Sequence, residues 1–355
     1  MSQNPPGNNP GLLPESTGAS DNGARSLPES PGASDNGAHP LLVVDHLTKQ
    51  FPVRQGFRSR WLTAVDDVSF HINARETYAL VGESGSGKST TGRAVLRLVD
   101  ADAGHVRFDG KEIFSLRNRA LREWRKEIQM IFQDPLSSLD PKRSIGYSIE
   151  EPLIIHGMGS RPQRRERVRQ SLVRVGLTAA DERRYPHEFS GGQRQRIGIA
   201  KALILNPRLI VCDEPVSALD VSIRSQILNL LLALQREQAL SYLFIAHDLS
   251  VVHHIADRIG VMYRGRIVEE APTQTLFSDP RHPYTRFLMA SIPPAHPRLK
   301  KIGPLPVAGD TGGEPRQGGC VFSGRCAYAT PRCHEQTPPE RYISRQHRVA
   351  CHLYP

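Results

Sequence analysis

The chain has 355 residues, room for one large α/β domain or two smaller ones, and 46 Lys+Arg against 36 Asp+Glu give it a formal net charge of +10. Apolar residues make up 38% of it, and no uninterrupted apolar run approaches the ~18 residues of a membrane span, which excludes an integral membrane chain. The opening residues, MSQNPPGNNP, lack the basic start and apolar stretch of a secretory signal, so export is not expected. Five cysteines exclude a disulfide scaffold, yet four of them fall in the last 36 residues. The basic residues gather in 117–125 and 161–174, where charge alternates with apolar positions at helical spacing. That is the pattern of solvated surface helices, and no direct nucleic-acid partner is expected.

Residues 1–40 contain a near duplication: LPESTGASDNGA (13–24) recurs as LPESPGASDNGA (27–38). Two Pro/Gly/Ser/Asn-rich dozens cannot bury a core, so the segment reads as a disordered tail. Strands are expected at 41–44, at 61–70 and at 77–81, the last leading into a glycine-rich loop. Residues 88–98 place Ala94, Val95 and Leu98 as a helix packed on a sheet would. Residues 134–189 are rich in Arg, Glu and helical periodicity and read as a helical insertion. Strand signals return at 209–212 and 242–246, and between them Ile223, Ile227, Leu230, Leu231 and Leu234 keep helical spacing. Alternating strands and helices predict an α/β fold with a mainly parallel sheet over 41–279. From 280 to 355 the composition shifts to Pro, Gly, His, Arg and Cys, which reads as a separate tail or small domain.

Gly82-Glu83-Ser84-Gly85-Ser86-Gly87-Lys88-Ser89-Thr90 fits G-x-x-x-x-G-K-[ST] once in the chain. Its glycines let backbone N–H groups face a polyphosphate, and the following helix aims its positive end there. Lys88 brings a cation to the β- and γ-phosphates, and the Ser89 hydroxyl ligates Mg²⁺. The loop therefore reads as a nucleoside triphosphate site. Leu209-Ile210-Val211-Cys212-Asp213-Glu214 supplies the carboxylates such a site needs at a strand end. Asp213 would hold Mg²⁺, and Glu214 would polarise the attacking water as general base. Cys212, inside that strand, reads as a small buried apolar residue. His247 ends the next strand within reach of the γ-phosphate, and Gln133, after Met130-Ile131-Phe132, can touch Mg²⁺ or water.

Phe189-Ser190-Gly191-Gly192-Gln193-Arg194-Gln195-Arg196 resembles the LSGGQ signature of ABC-transporter ATPases, with Phe in place of Leu. The order of phosphate loop, Gln133-Asp134-Pro135, signature, Asp213-Glu214, Ser217-Ala218-Leu219-Asp220 and His247 is similar to that family throughout, over about residues 41–340. The resemblance implies a P-loop ABC-type nucleotide-binding domain, with a RecA-like core, an antiparallel β subdomain and a helical subdomain, followed by a small irregular cysteine-containing extension. It implies ATP and Mg²⁺ as cofactors and a site shared between two subunits. Ser190, Gly191, Gly192, Gln193 and Asp220 would close over ATP held by a partner. Phe51 stands where the family places an aromatic residue that stacks on adenine. Residues 133–141 (QDPLSSLDP, with Asp140 where Asn is common), 185–190 and His282-Pro283-Tyr284-Thr285 resemble oligopeptide/dipeptide importer ATPases.

That resemblance implies a peripheral subunit on the cytoplasmic face of the inner membrane, powering peptide import. Its partners would be a second, homologous ATPase subunit in a heterodimer, two permease subunits and an extracytoplasmic substrate-binding protein. Membrane contact would run through the permeases, with the 134–189 insertion forming the groove that receives a coupling helix and Gln133 at its hinge. Nickel import is an alternative; a soluble, non-transport ABC ATPase is another. Cys320, Cys326, Cys333 and Cys351, spaced C-x5-C-x6-C-x17-C, leave four readings open. These are disulfides, disfavoured in a reducing cytoplasm; unrelated free thiols; structural zinc, though close cysteine pairs are missing; and an iron–sulfur cluster. Resemblance to the cysteine tail of peptide-importer ATPases implies a [4Fe–4S] cluster that folds the tail, with zinc as its alternative.

Overall fold

A computed structural model describes residues 39–55, 58–291 and 318–354. The duplicated segment at 13–38 lies outside the described residues. β1 (Leu42–Gln55) and β2 (Arg58–Ile72) form a long antiparallel pair, and β4 (Ala103–Phe108) and β5 (Lys111–Glu112) complete a four-stranded sheet in the order β2-β1-β4-β5. The expected strand at 41–44 is thus only the start of β1. Its second half stays in register with β2, from Phe51 opposite Leu62 to Gln55 opposite Arg58.

The main sheet has eight strands in the order β11-β12-β10-β9-β3-β8-β7-β6. β3 (Thr77–Val81), β6 (Ile128–Ile131), β7 (Leu209–Asp213), β8 (Ser241–Ala246) and β9 (Arg258–Tyr263) run parallel. β3, β7 and β8 are buried at every position, because both sheet faces are covered. Tyr78, Leu80, Val211 and Ile245 enter one hydrophobic cluster; Ala79, Val81, Cys212 and Phe244 enter the other. Each of the larger ones, such as Leu80, Val211, Phe244 and Ile245, contributes roughly 1.5–3 kcal/mol when fully buried. Burial pushes the Cys212 thiol well above its ordinary range, in keeping with an apolar role.

Helices connect these strands. α1 (Lys88–Val95) follows the glycine-rich loop and ends three residues short of the expected 98, since Leu96 caps it and Arg97 turns left-handed at φ +52°. α2 (Asn118–Glu127) leads into β6. α3 (Ile145–Ile155) and α4 (Arg161–Arg174) pack against α5 (Gly191–Leu203), and α6 (Val221–Gln238) joins β7 to β8. α7 (Leu249–Ile255) then precedes β9.

β9 turns at Arg264-Gly265, both at positive φ, into β10 (Arg266–Pro272). This hairpin is absent from the sequence reading, although a tight glycine turn flanked by apolar runs marks it. After α8 (Thr273–Ser278), α9 (Pro283–Ala290) and α10 (Pro331–Glu335), the chain closes with β11 (Glu340–Ser344) and β12 (His347–Ala350). Where the sequence reads as a separate unit from 280 onward, the structure adds β12 to β10 in the main sheet. Two buried carboxylates of β10 hold it there. Glu269 meets His347 Nε2 at 2.7 Å, and Glu270 accepts from Arg348 at 2.7 Å.

Candidate functional site

The phosphate loop spans the end of β3 and the start of α1. Gly87, at φ +105°, is the N-cap of α1, and a Cβ there would meet the Ala64 carbonyl oxygen at 2.1 Å. Only glycine fits both constraints. Lys88 is buried, and its Nζ donates to the carbonyls of Gly82 at 2.8 Å and Glu83 at 2.9 Å and to Ser86 Oγ at 3.3 Å. Burial lowers the Lys88 pKa from its ordinary value, while the Glu214, Asp213 and Glu83 carboxylates oppose that shift. Ser84 and Gly85 are exposed at the loop's tip; Ser89 and Thr90 are half-buried on α1.

Asp213 ends β7, and its Oδ1 accepts the Ser89 hydroxyl at 2.6 Å. Burial raises the Asp213 pKa, opposed by that hydrogen bond and by Arg93, whose guanidinium stands 3.7 Å from Oδ2. No motif marks Arg93, which sits one helical turn beyond Ser89 on α1. The next residue, Glu214, adopts φ +48° and donates its N–H to the Ile245 carbonyl. Its Oε2 accepts from Gln133 Nε2 at 3.2 Å and lies 3.1 Å from His247 Nδ1. Three residues singled out separately, at the ends of three neighbouring strands, therefore meet at one carboxylate oxygen.

The signature residues form a different construction. Ser190 caps α5: its hydroxyl accepts the Gln193 N–H at 3.3 Å, and Gln193 Oε1 accepts the Ser190 N–H at 3.0 Å. Ser190 and Gly191 are exposed, whereas Gly192 is buried against α6, where a Cβ would meet Ile223 Cγ2 at 2.5 Å. Among the described residues, no hydrogen bond joins Ser190 or Gln193 to residues 82–90. Asp220 is exposed as the N-cap of α6. Phe51 is half-buried on β1, with Lys49 Nζ 5.3 Å from its ring centroid. Its cross-strand partner Leu62 is two residues from Ala64, the residue that abuts Gly87.

The four C-terminal cysteines are free thiols, with Cys320 and Cys351 buried and Cys326 and Cys333 half-buried. They share one neighbourhood: the Cys320 N–H donates to the Cys333 carbonyl at 2.7 Å, and burial followed by the charges of the other thiols pushes Cys320 and Cys351 up to about 11. Among the described residues, however, no three His, Cys, Asp or Glu side chains are grouped closely enough to hold a metal ion. Two further residues reach the phosphate loop that the sequence does not place there. The Tyr284 hydroxyl accepts the Glu83 N–H at 2.8 Å, and Arg325 forms a forked pair with the Glu83 carboxylate.

A family model described as ABC transporter matches residues 65–217, and one described as the C-terminal region of oligopeptide/dipeptide transporters matches residues 268–333. The oligopeptide transport ATP-binding protein AppF of Bacillus subtilis (strain 168) is 48% identical over 88% of this chain and 97% of its own length. The glutathione import ATP-binding protein GsiA of Pectobacterium atrosepticum is 53% identical over 74% of this chain, which spans 42% of that protein's length. Among solved structures, the ATP-binding cassette MJ0796, as a dimer bound to ADP and Pi, aligns with a TM-score of 0.59 and 29% identity over 65% of this chain and 98% of its own. The cassette cbiO1 from Clostridium perfringens aligns equally well at 25% identity, over 68% of this chain and 91% of its own. The chain belongs to the ABC transporter family, as an ATP-binding subunit of its oligopeptide/dipeptide branch.

Proposed function

We propose that this chain hydrolyses ATP to drive import of short peptides across a bacterial membrane, working as one of two ATPase subunits beneath two permeases. The observation that carries the chemistry is the convergence of Gln133, Glu214 and His247 beside the Ser89–Asp213 pair. The oxygen donors of Ser89, Asp213 and Gln133 suit Mg²⁺, which, bound with ATP, supplies neutralisation of phosphate charge. Lys88 and the loop amides hold the β- and γ-phosphates. A water oxygen attacks the γ-phosphorus, the bond to the β–γ bridging oxygen breaks, and Glu214 Oε2 takes up the water's proton. His247 and Gln133 orient that carboxylate. Ser190–Gln193, at the cap of α5, and Asp220, exposed at the start of α6, serve the nucleotide on the partner subunit, and Phe51 stacks on adenine.

A groove of about 380 Å³ lies between the end of α1, β6 and α5, lined by Leu96, Leu98, Phe132, Pro135 and Lys201. Gln195 also lines it, with a buried Nε2 that lacks a hydrogen-bond partner. A permease coupling helix would fill this groove. No described helix is long and apolar enough to cross a membrane, so attachment to the cytoplasmic face of the inner membrane would run through this contact. The names of the relatives favour a peptidic cargo over nickel. ATP-driven uptake by proteoliposomes of the complete transporter tests this: labelled oligopeptide, dipeptide or glutathione should enter. Uptake of Ni²⁺ alone would contradict the cargo.

The four thiols support a further proposal, that Cys320, Cys326, Cys333 and Cys351 ligate a [4Fe–4S] cluster once their sulfurs close in. Protein purified without oxygen should then be brown, with about four irons per chain. Colourless protein with stoichiometric zinc would replace the iron, and metal-free protein with four reactive thiols would remove the site.

A further inference from the structure

We propose that Arg325 is a positioning residue for the phosphate loop, reaching it from the cysteine-bearing segment and neutralising the carboxylate of Glu83. Glu83 is held at three points. Its N–H donates to the Tyr284 hydroxyl at 2.8 Å, and its carbonyl accepts from Lys88 Nζ at 2.9 Å and from the Ser86 N–H at 3.2 Å. Its carboxylate accepts two bonds from Arg325, at 2.8 and 3.1 Å. The residue that orients the Lys88 ammonium is thereby tied to a segment 242 positions away in sequence.

The guanidinium has little freedom of its own. It lies 5.1 Å from the ring centroid of Phe287 and 5.9 Å from those of Tyr263 and Phe322, and the Arg325 side chain is 17% exposed. A planar fork backed by three rings holds a carboxylate in one orientation, which a lysine could not do. Phe322, three residues before Arg325, also packs on Tyr263 and Tyr284. One short stretch of the C-terminal segment thus fixes the carboxylate of Glu83 directly and its N–H through Tyr284.

Charge gives this arrangement its consequence. A carboxylate in a loop that receives a triphosphate adds repulsion where the ligand is most negative, and the guanidinium cancels it. Without Arg325 the carboxylate is uncompensated, while Tyr284, Lys88 and Ser86 still hold the Glu83 backbone. The proposal rests on the loop's binding of a nucleoside triphosphate. Affinity of the full chain for adenylyl imidodiphosphate with Mg²⁺, measured by calorimetry, separates the two. Should Lys88→Ala bind as tightly as the natural chain, the reading of the loop itself fails.

Arg325→Met keeps an apolar stem among the rings and removes the charge, so the dissociation constant should rise roughly tenfold, as an uncompensated charge at partly buried depth would cause. Glu83→Gln alone should bind at least as tightly as the natural chain, and in the double variant it should recover affinity to within about threefold. Those signs are opposite to what a purely structural ion pair gives, because there every variant weakens binding. Unchanged affinity in Arg325→Met, or a double variant as weak as Arg325→Met, overturns the proposal. If Arg325→Met does not fold, Glu83→Gln decides: weaker binding overturns it and equal or tighter binding supports it.

Discussion

Glu214 takes a left-handed backbone at φ +48°, a conformation that costs a non-glycine residue on the order of 1–3 kcal/mol. With that backbone its carboxylate meets Gln133 and His247, the arrangement on which the proposed role of general base rests. Glu214→Gln keeps the shape and removes the base. MgATP binding should persist while turnover falls ~10²–10⁴-fold, the usual cost of losing a general base. Steady-state hydrolysis by the assembled transporter, with the partner subunit's own site silenced, checks this. A near-normal rate would remove Glu214 from the role. Asp213, buried and bonded to the Ser89 hydroxyl, is left for the proposed part of metal ligand.

Elements differ in how far the sequence reveals them. β3, β7 and β8 are legible because strands buried on both faces read as unbroken apolar runs, and the loop after β3 is legible because its glycines and lysine are consecutive. The join of β12 to β10 is not, since it depends on Glu269 and Glu270 finding His347 and Arg348 across the fold. The Arg325–Glu83 pair is equally silent, for no local pattern links residues so far apart. α9 offers a test of this buried junction. His282 caps it, with Nδ1 accepting the Tyr284 N–H, while its own N–H donates to Glu269. Burial, aided by Arg286 and opposed by Glu269, holds His282 down at about 4, and burial beside Arg258 does the same to His71. Between pH 6.5 and 4 the unfolded chain binds more protons than the folded one. The stability from neutral His282 is therefore complete above 6.5 and is lost as pH falls, by roughly 2 kcal/mol at pH 5. His282→Asn retains a capping acceptor and should lose less melting temperature between pH 7.5 and 5 than the natural chain does. Equal losses would show that His282 does not titrate across folding.

For the whole molecule, the main functional question is how two separate constructions proposed to meet nucleotide divide the work. One is the phosphate loop, joined to Asp213, Glu214 and His247; the other is the Ser190 cap of α5, which shares no described hydrogen bond with it. The Ser190 cap satisfies its own helix; the proposal that it also meets another subunit's nucleotide is what has to be tested. The C-terminal segment, joined through β12 and Arg325, sits on the loop side and leaves that cap exposed. The most direct measurement compares ATP hydrolysis by the complete transporter, by its Ser190→Arg variant and by the isolated chain, alongside nucleotide binding by each form of the chain. The account predicts that Ser190→Arg leaves binding by this chain nearly intact but cuts hydrolysis in the complex, and that the isolated chain turns over slowly. An isolated chain that hydrolyses ATP at the full transporter's rate would contradict it.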